Sequence, residues 1–157
     1  MAGCSQEGVG SENEPVGRKR HPWLWEARCM ILDTSAVVAV LMKEPGYEEV
    51  LEKLLAASSA GIGIPTLTES AIVLSARLGR DARGLLSRFL VEASIVMVPF
   101  GEAHYGCAVE AWLRYGKGHH RAALNFGDCM AYATAKMAGQ PLLCTGSDFV
   151  RADLALA

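Results

Sequence analysis

The sequence predicts an α/β fold of three layers, in which helices cover both faces of a central parallel sheet of four to five strands. Short apolar runs alternate along the chain with longer segments of helical periodicity. The apolar runs are continuous rather than interrupted at every second residue, which is typical of parallel strands buried on both faces. A length of 157 residues suits one domain with a substantial core.

The first half of the domain contains two predicted strands and three predicted helices. A buried strand at 29–32 is followed by a helix that Thr34 and Ser35 cap and that runs to about residue 42. Pro45 and Gly46 interrupt it, and an amphipathic helix follows at 47–57. The remaining elements of this half are a strand at 61–64 and a helix that Pro65 and Thr66 open and that runs to residue 78.

The second half continues the alternation. Asp81 begins a helix that extends to about residue 93, and the β-branched run 95–98 predicts a third strand. Helices at 101–115 and 126–138 end at glycines, as helices commonly do. Residues 142–144 predict a fourth strand, and residues 154–156 a short fifth one.

Residues 1–28 differ in composition from the rest of the chain. They are rich in Gly, Ser and charged residues, and they lack an apolar period before Trp23 and Trp25. This composition predicts a disordered N-terminal tail, with the folded domain at residues 29–157.

The overall composition indicates a soluble protein that we expect in the cytoplasm. No apolar run approaches the ~18 residues of a membrane span, and residues 1–28 lack the apolar stretch of a signal peptide. The five cysteines are odd in number and show no C-x-x-C spacing, so we expect reduced thiols buried as small hydrophobic groups.

The formal net charge of -2 does not by itself indicate a nucleic-acid partner, because phosphate contacts supply most of the affinity for nucleic acids. Basic residues are nevertheless concentrated in the central part of the chain. The candidates for RNA contact are Arg77, Arg80, Arg114, Lys117 and Arg121. For any single one of them, a solvated helix face is the favoured explanation.

Four carboxylates are predicted at the same edge of the sheet. Asp33 directly follows the first strand, Glu69 lies one turn into the helix after the second, and Asp148 comes shortly after the fourth. Asp128 lies in the first turn of the helix at 126–138. In an open parallel sheet, functional residues collect beyond the carboxyl ends of the strands.

Each of these acids also has a purely structural explanation, because Asp is favoured at helix starts and Glu is common on surfaces. Apolar neighbours shift the balance towards function, since partly buried carboxylates repel one another unless they are protonated or bind a metal. All-oxygen ligands suit Mg²⁺ or Mn²⁺. The expected chemistry is in-line hydrolysis of a phosphodiester by metal-activated water.

At these residues the chain resembles PIN-domain ribonucleases, and in particular VapC-type toxins of bacterial type II toxin–antitoxin pairs. The resemblance extends from residue 30 to the C-terminus. The matching segments are 31–36 (Ile-Leu-Asp-Thr-Ser-Ala), 68–69 (Thr-Glu), 124–129 (Leu-Asn-Phe-Gly-Asp-Cys), 132–136 (Tyr-Ala-Thr-Ala-Lys), 141–146 (Pro-Leu-Leu-Cys-Thr-Gly) and 148–149 (Asp-Phe). Ser147 departs from the pattern, because family members often have Asp or Asn there.

The resemblance implies a Mg²⁺-dependent endoribonuclease that dimerises and is silenced by a VapB-type antitoxin. It implies that Asp33, Glu69, Asp128 and Asp148 form the acidic quartet, with Asp33, Asp128 and Asp148 as metal ligands. The implied supporting residues are Thr34, Ser35, Thr145 and Asp153. The antitoxin is expected to dock an amphipathic segment and to offer a cation to the acid cluster. Val38, Leu41 and Met42 are candidate contacts, but packing in the core explains these residues equally well.

Two other functions remain to be weighed. A PIN-like module without turnover would bind RNA or a protein, but it would have no physical need for clustered acids. A flavodoxin-like regulatory or phosphatase domain also places Asp after its first strand, but it would want a second carboxylate where Thr34 and Ser35 stand.

Overall fold

A computed structural model describes residues 29–157 and confirms the predicted α/β class. The prediction of a disordered tail at 1–28 lies outside the described residues. The elements in chain order are β1 (Cys29–Leu32), α1 (Thr34–Met42), α2 (Tyr47–Ala56), β2 (Ser59–Gly63), α3 (Ile64–Leu78), α4 (Arg83–Glu92), β3 (Ile95–Val98), α5 (Glu102–Tyr115), α6 (Phe126–Ala138), β4 (Leu142–Leu143) and a 3₁₀ helix (Asp148–Arg151).

The sheet has four parallel strands in the order β3-β2-β1-β4. β1 is central and fully buried, as its uninterrupted apolar sequence predicts. In β1, Leu32 pairs with Ile62 of β2 on one side and with Leu143 of β4 on the other. The carboxyl ends of three neighbouring strands therefore meet where Asp33 begins the next segment.

Each face of the sheet has its own core. On one face, α1, α2, α3 and α4 pack around Leu32, Ile62 and Leu74. On the other face, α5 and α6 pack around Ile31, Leu124 and Leu142. This arrangement is the predicted three-layer sandwich.

Several elements differ from the sequence prediction, among them β2, which covers Ser59–Gly63 rather than 61–64, and β4, which is one residue shorter than predicted. The predicted fifth strand at 154–156 is a single parallel bridge between Leu142 and Leu156 in the described part of the chain. β3 lies at the edge of the sheet and exposes Val96 and Met97, so only Ile95 and Val98 face the core. Asp81 precedes α4, whose N-cap is Ala82, but its carboxylate still accepts a hydrogen bond from the Arg83 N–H.

Four cysteines lie within the described residues, and no disulfide joins any of them there. Cys29 and Cys129 are buried, while Cys107 and Cys144 are partly buried. That the thiols of residues 29–157 are reduced stays a prediction. Among these residues, no helix has both the length and the apolar character that crossing a membrane requires.

Candidate active site

The four predicted acids line one cleft of about 270 Å³ at the carboxyl edge of the sheet. Asp33 directly follows β1, and α3, α6 and the 3₁₀ helix each contribute one of the other three. The side chains that line the cleft are Asp33, Thr34, Ser35, Val38, Glu44, Glu69, Val73, Arg77, Asn125, Asp128, Thr145, Asp148 and Phe149. This cleft is the candidate active site.

Asp33 is the N-cap of α1 and is only 5% exposed. Its Oδ2 accepts hydrogen bonds from the Ser35 N–H at 2.9 Å and from the Ser35 hydroxyl at 2.5 Å. The Ser35 Oγ in turn accepts a hydrogen bond from the Thr145 N–H at 3.0 Å. This chain of contacts orients Asp33 from the segment that follows β4. The prediction that Thr34 and Ser35 cap this helix is wrong, because Asp33 does so and leaves their hydroxyls available to the acids.

Burial raises the pKa of the Asp33 carboxyl above its ordinary value. The hydrogen bonds from Ser35 oppose the rise, and the negative charge of Glu69 adds to it. The ionised form of Asp33 is therefore disfavoured unless a positive charge enters the cleft.

Asp128 is fixed by a capping box at the start of α6. The Asn125 side chain accepts a hydrogen bond from the Asp128 N–H at 3.0 Å, and Asp128 Oδ2 accepts one from the Asn125 N–H at 2.7 Å. Burial raises the pKa of Asp128 to about 6, and the charges of Asp33, Asp148 and Glu69 add to the rise. The hydrogen bond from the Asn125 backbone opposes it.

Glu69 contacts both α1 and α6. Its Oε2 accepts a hydrogen bond of 2.7 Å from the Thr34 hydroxyl. Its carboxylate also lies so close to the Cα of Gly127 that a methyl group there would overlap both of its oxygens. Glycine at position 127 thus leaves the space that the Glu69 carboxylate occupies.

Asp148 begins the 3₁₀ helix and is exposed at the rim of the cleft. The next residue, Phe149, is 3% exposed and packs into the α5–α6 core. The Arg151 guanidinium donates a hydrogen bond of 3.1 Å to the Arg121 carbonyl. These two contacts fix the short helix that carries Asp148.

Asp153 does not line the cleft. Its carboxylate accepts hydrogen bonds from the Tyr132 hydroxyl at 2.5 Å and from Lys136 Nζ at 3.1 Å. Arg114 completes the cluster at 3.4 Å. The hydrogen bonds from Tyr132 and Lys136 hold the pKa of Asp153 well below its usual range. Its contacts join the C-terminal segment to α5 and α6.

Of the basic candidates, Arg77 alone lines the cleft in the part of the chain that the structure describes. It forms an ion pair with Glu44, a residue that sequence reasoning did not single out. Arg80, Lys117 and Arg121 are exposed outside the cleft, and Arg114 is paired with Asp153. Asn125 was also missed, although its position three residues before Asp128 is the spacing of a capping box.

The donor set fits a hard divalent cation. Five carboxylates and one guanidinium line the cleft. Buried Asp33 and half-buried Asp128 both have raised pKa values, which indicates uncompensated negative charge. Within residues 29–157, no three Asp, Glu, His or Cys side chains are already grouped closely enough to hold an ion.

The structure supports the packed-core explanation of the candidate antitoxin contacts on α1. Val38 is 3% exposed, and Leu41 and Met42 pack against the α1–α4 core. These side chains complete the core because α2 and α3 pack against α1. Exposed apolar side chains instead line two other grooves, one beside β3 and α4 and the other between α3 and α6.

Comparison with known proteins agrees with this geometry. The PIN domain family model matches residues 30–154. The chain belongs to the PIN-domain family. Ribonuclease VapC36 of Mycobacterium tuberculosis is 48% identical over 126 residues, which cover 80% of this chain and 91% of that protein. Ribonuclease VapC of Mycolicibacterium smegmatis is 42% identical over 131 residues, which cover 80% of this chain and 98% of that protein.

Solved structures share the fold of this PIN domain at low sequence identity. VapC20 of Mycobacterium tuberculosis, described as a Sarcin-Ricin loop cleaving toxin, has a TM-score of 0.67 at 17% identity over 82% of this chain and 98% of that chain. VapBC2 from Rickettsia felis, solved with a DNA fragment from its promoter, has a TM-score of 0.64 at 15% identity. The match covers 82% of this chain and 97% of that chain.

Proposed function

We propose that this PIN domain is a metal-dependent endoribonuclease and the toxin of a type II toxin–antitoxin pair. The observation that carries the proposal is the convergence of Asp33, Glu69, Asp128 and Asp148 on one cleft. The relatives at 42% and 48% identity, which are named ribonucleases of the VapC type, support it. RNA is the substrate class in this proposal.

Asp33, Asp128 and Asp148 are the residues that would hold the ion, and Mg²⁺ is the first choice, with Mn²⁺ as a substitute. A bound divalent ion supplies Lewis-acid activation of water and neutralises charge on the phosphate. Asp33 is held in place by Ser35, and Ser35 by the Thr145 backbone. Glu69 faces the same cleft with one oxygen bound to Thr34, so its other oxygen is available to a ligand or a water.

The experiment is cleavage of bacterial transfer and ribosomal RNA by the purified protein with Mg²⁺, with Mn²⁺ and with excess EDTA. We expect cleavage with either metal and none in EDTA. The variant Asp33→Asn keeps the shape of the side chain and removes a ligand charge, so it should lose cleavage while remaining folded. Cleavage that persists in EDTA would contradict the metal mechanism. If the protein binds RNA but does not cleave it under any of these metal conditions, it is a binding module and not an enzyme.

An antitoxin of the VapB type is the proposed regulatory partner. The excess of carboxylates in the cleft favours a partner segment that inserts an Arg or Lys side chain there. Such a segment would compete with both metal and RNA. Co-expression with the antitoxin should therefore restore growth to cells that express this chain. A cytoplasmic location belongs to the same proposal, because the RNA substrate and the antitoxin are found there.

A homodimer is also proposed, with the α3–α6 groove as its contact surface. This groove is lined by Ile64, Pro65, Thr68, Glu69, Ile72, Pro99, Phe100, Phe126, Gly127 and Met130. Phe126 is 77% exposed and Ile72 is 65% exposed, which favours a covered surface in the assembled protein. Glu69 lines both this groove and the acid cleft, so a second copy bound here would bring two clefts together.

The oligomer test uses Ile72→Glu, with Val91→Glu in the other apolar groove as the matched control. Light scattering coupled to size exclusion should show a dimer for the unmodified protein and for Val91→Glu, and a monomer for Ile72→Glu. A dimer that survives Ile72→Glu but not Val91→Glu would move the interface to the groove beside β3.

A further inference from the structure

The ion pair between Arg77 and Glu44 belongs to the acid cleft, although neither residue is one of the four acids. Glu69, Val73 and Arg77 follow one another at intervals of four residues on α3, and all three line the cleft. Residues spaced this way share one helix face. Arg77 therefore extends the acid site along α3.

The pair is accessible from solvent. The Arg77 side chain is 48% exposed and the Glu44 side chain 36% exposed. The bond runs from Arg77 Nη1 to Glu44 Oε1, and among residues 29–157 it is the only hydrogen bond found for this guanidinium. Arginine has five N–H donors in a planar fork, so most of its capacity for binding an anion remains available.

The carboxylates of this cleft repel the phosphates of a bound nucleic-acid strand. Metal binding offsets charge at the four acids, but the phosphates on either side of the scissile one still approach a surface with excess carboxylates. Arg77 is the one cation that lines the cleft in the described residues. It lies eight residues from Glu69, or about 12 Å along the helix axis at 1.5 Å per residue. That separation places it beside a neighbouring phosphate rather than the scissile one.

We propose that Arg77 binds a non-scissile phosphate of the RNA strand. In the absence of RNA the Arg77 guanidinium is paired with Glu44, and the phosphate displaces Glu44 when RNA binds. The proposal rests on the proposed ribonuclease function and adds a second contact point for the same substrate. An exposed ion pair contributes little free energy, so a phosphate can displace Glu44 at low cost. Glu44 also disfavours weakly bound anions at this position. The two partners of the pair therefore have opposite effects on RNA binding.

The test measures the affinity of a fluorescent, mixed-sequence single-stranded RNA of about 12 nucleotides, a length that spans a typical single-strand site. Fluorescence anisotropy in Mg²⁺ over a range of salt concentrations gives both Kd and its salt dependence. Every variant carries Asp128→Asn so that the RNA remains intact. We expect Arg77→Met to raise Kd by about 10-fold or more. It should also reduce the slope of log K against log salt by about 0.7, the value for one single-strand phosphate contact.

Glu44→Gln is expected to lower Kd by about 2- to 5-fold, the range for an exposed ion pair. Removing a negative charge would also help RNA binding in general, so the double variant decides the mechanism. In the Arg77→Met background, Glu44→Gln should have a smaller effect, because only the general charge contribution remains and the part that acts through Arg77 is lost. An equal effect in both backgrounds would overturn the role given to Glu44. An unchanged salt slope in Arg77→Met would overturn the phosphate site.

Two controls keep the result interpretable. Arg83 and Asp81 form an exposed ion pair that does not line the cleft, so Arg83→Met should leave the salt slope unchanged. Arg77→Lys retains the charge and should keep the slope, which separates loss of a phosphate contact from a folding defect in Arg77→Met. If the unmodified protein neither cleaves nor binds RNA, both the proposed function and the phosphate site at Arg77 are wrong. If RNA binds but the salt dependence of Kd does not change in Arg77→Met, only the phosphate site at Arg77 is wrong.

Discussion

The Thr34 hydroxyl donates a hydrogen bond of 2.7 Å to Glu69 Oε2 and thereby joins the first residue of α1 to the second turn of α3. Thr34 follows Asp33 directly, so one short segment controls two acids. Asp33 is oriented through Ser35, and Glu69 is oriented through Thr34. The positions of Asp33, at the start of α1, and of Glu69, on α3, thus both depend on the three consecutive residues 33–35.

We predict that Thr34→Val lowers the rate of RNA cleavage by about 10-fold, because a charge-assisted hydrogen bond of about 1.5–3 kcal/mol that orients Glu69 is lost. Thr34→Ser keeps the hydroxyl and should retain most of the activity. Initial rates on transfer and ribosomal RNA, with thermal unfolding as the check on folding, measure both variants. Equal activity of Thr34→Val and the unmodified protein would contradict an orienting role.

Much of the fold follows from local patterns. Apolar runs predicted β1 and β3 with the bounds that the structure has, and the helix at 126–138 matches α6. The short β4 and the bridge at Leu156 were overpredicted, because apolar residues in the C-terminal segment serve core packing as well as strand pairing. Local patterns do not distinguish these two uses.

The site was predictable to the extent that its residues follow strand ends. Asp33 and Asp148 have that signal, and Asp128 was predicted from its place in the first turn of the helix at 126–138. Glu44 has no such signal, because it lies between α1 and α2 and reaches the cleft only through its contact with Arg77 on α3. Pairings between distant segments depend on tertiary packing, which the sequence pattern does not encode.

Removal of a carboxylate should stabilise the metal-free protein. Asp33→Asn and Asp128→Asn each eliminate a buried or half-buried charge whose ionisation the fold disfavours. We therefore expect a higher Tm than that of the unmodified protein in EDTA at pH 7. The same variants should lose the rise in Tm that Mg²⁺ produces in the unmodified protein. A matched control, Asp81→Asn, alters an exposed acid outside the cleft whose ionised form is favoured by hydrogen bonds from Arg83, so it should not raise Tm and should leave the effect of Mg²⁺ unchanged.

Metal binding should weaken as the pH falls through about 6. The pKa of Asp128 is about 6 in the folded protein against an ordinary value of 3.8, so protons compete with the metal in that range. The stability of the metal-free protein depends on pH in the opposite direction to metal binding. Between about pH 4 and 6 the folded state holds a proton that the unfolded chain has released, so stability falls as the pH rises through this window.

The measurement is thermal unfolding at pH 5 and pH 7, with and without Mg²⁺. The rise in Tm caused by Mg²⁺ should be larger at pH 7. Other groups titrate over the same range, so Asp128→Asn serves as the reference. If the unmodified protein and Asp128→Asn show the same pH dependence in EDTA, Asp128 does not have the raised pKa.

Gly127 provides a steric test of the Glu69 position. A methyl group at residue 127 would overlap the Glu69 carboxylate, so Gly127→Ala should displace it from Thr34 and lower cleavage by about 10-fold or more. Gly84 holds the equivalent second position of α4, and a methyl group there meets nothing within 4 Å. Gly84→Ala should therefore leave cleavage unchanged and stabilise the fold by about 0.5–1 kcal/mol. Similar cleavage by both variants would show that Glu69 does not need its observed position.

Asp153 is expected to act at a distance by fixing the segment that carries Asp148. Its carboxylate accepts hydrogen bonds from Tyr132 and Lys136 on α6, and α6 also carries Asp128. Asp153→Ala leaves the 3%-exposed Tyr132 without an acceptor for its hydroxyl, which costs about 1–3 kcal/mol of stability. It also loosens the C-terminal segment relative to α6.

The concentration of Mg²⁺ that gives half-maximal cleavage distinguishes positioning from stability alone. We expect Asp153→Ala to need more Mg²⁺ and to approach the unmodified rate at saturating metal, because Asp148 is displaced rather than removed. Asp153→Asn keeps an acceptor for Tyr132 and should be intermediate. Asp148→Asn, which removes a proposed ligand, should not recover at any Mg²⁺ concentration. An unchanged Mg²⁺ requirement in a folded Asp153→Ala would restrict Asp153 to a role in stability.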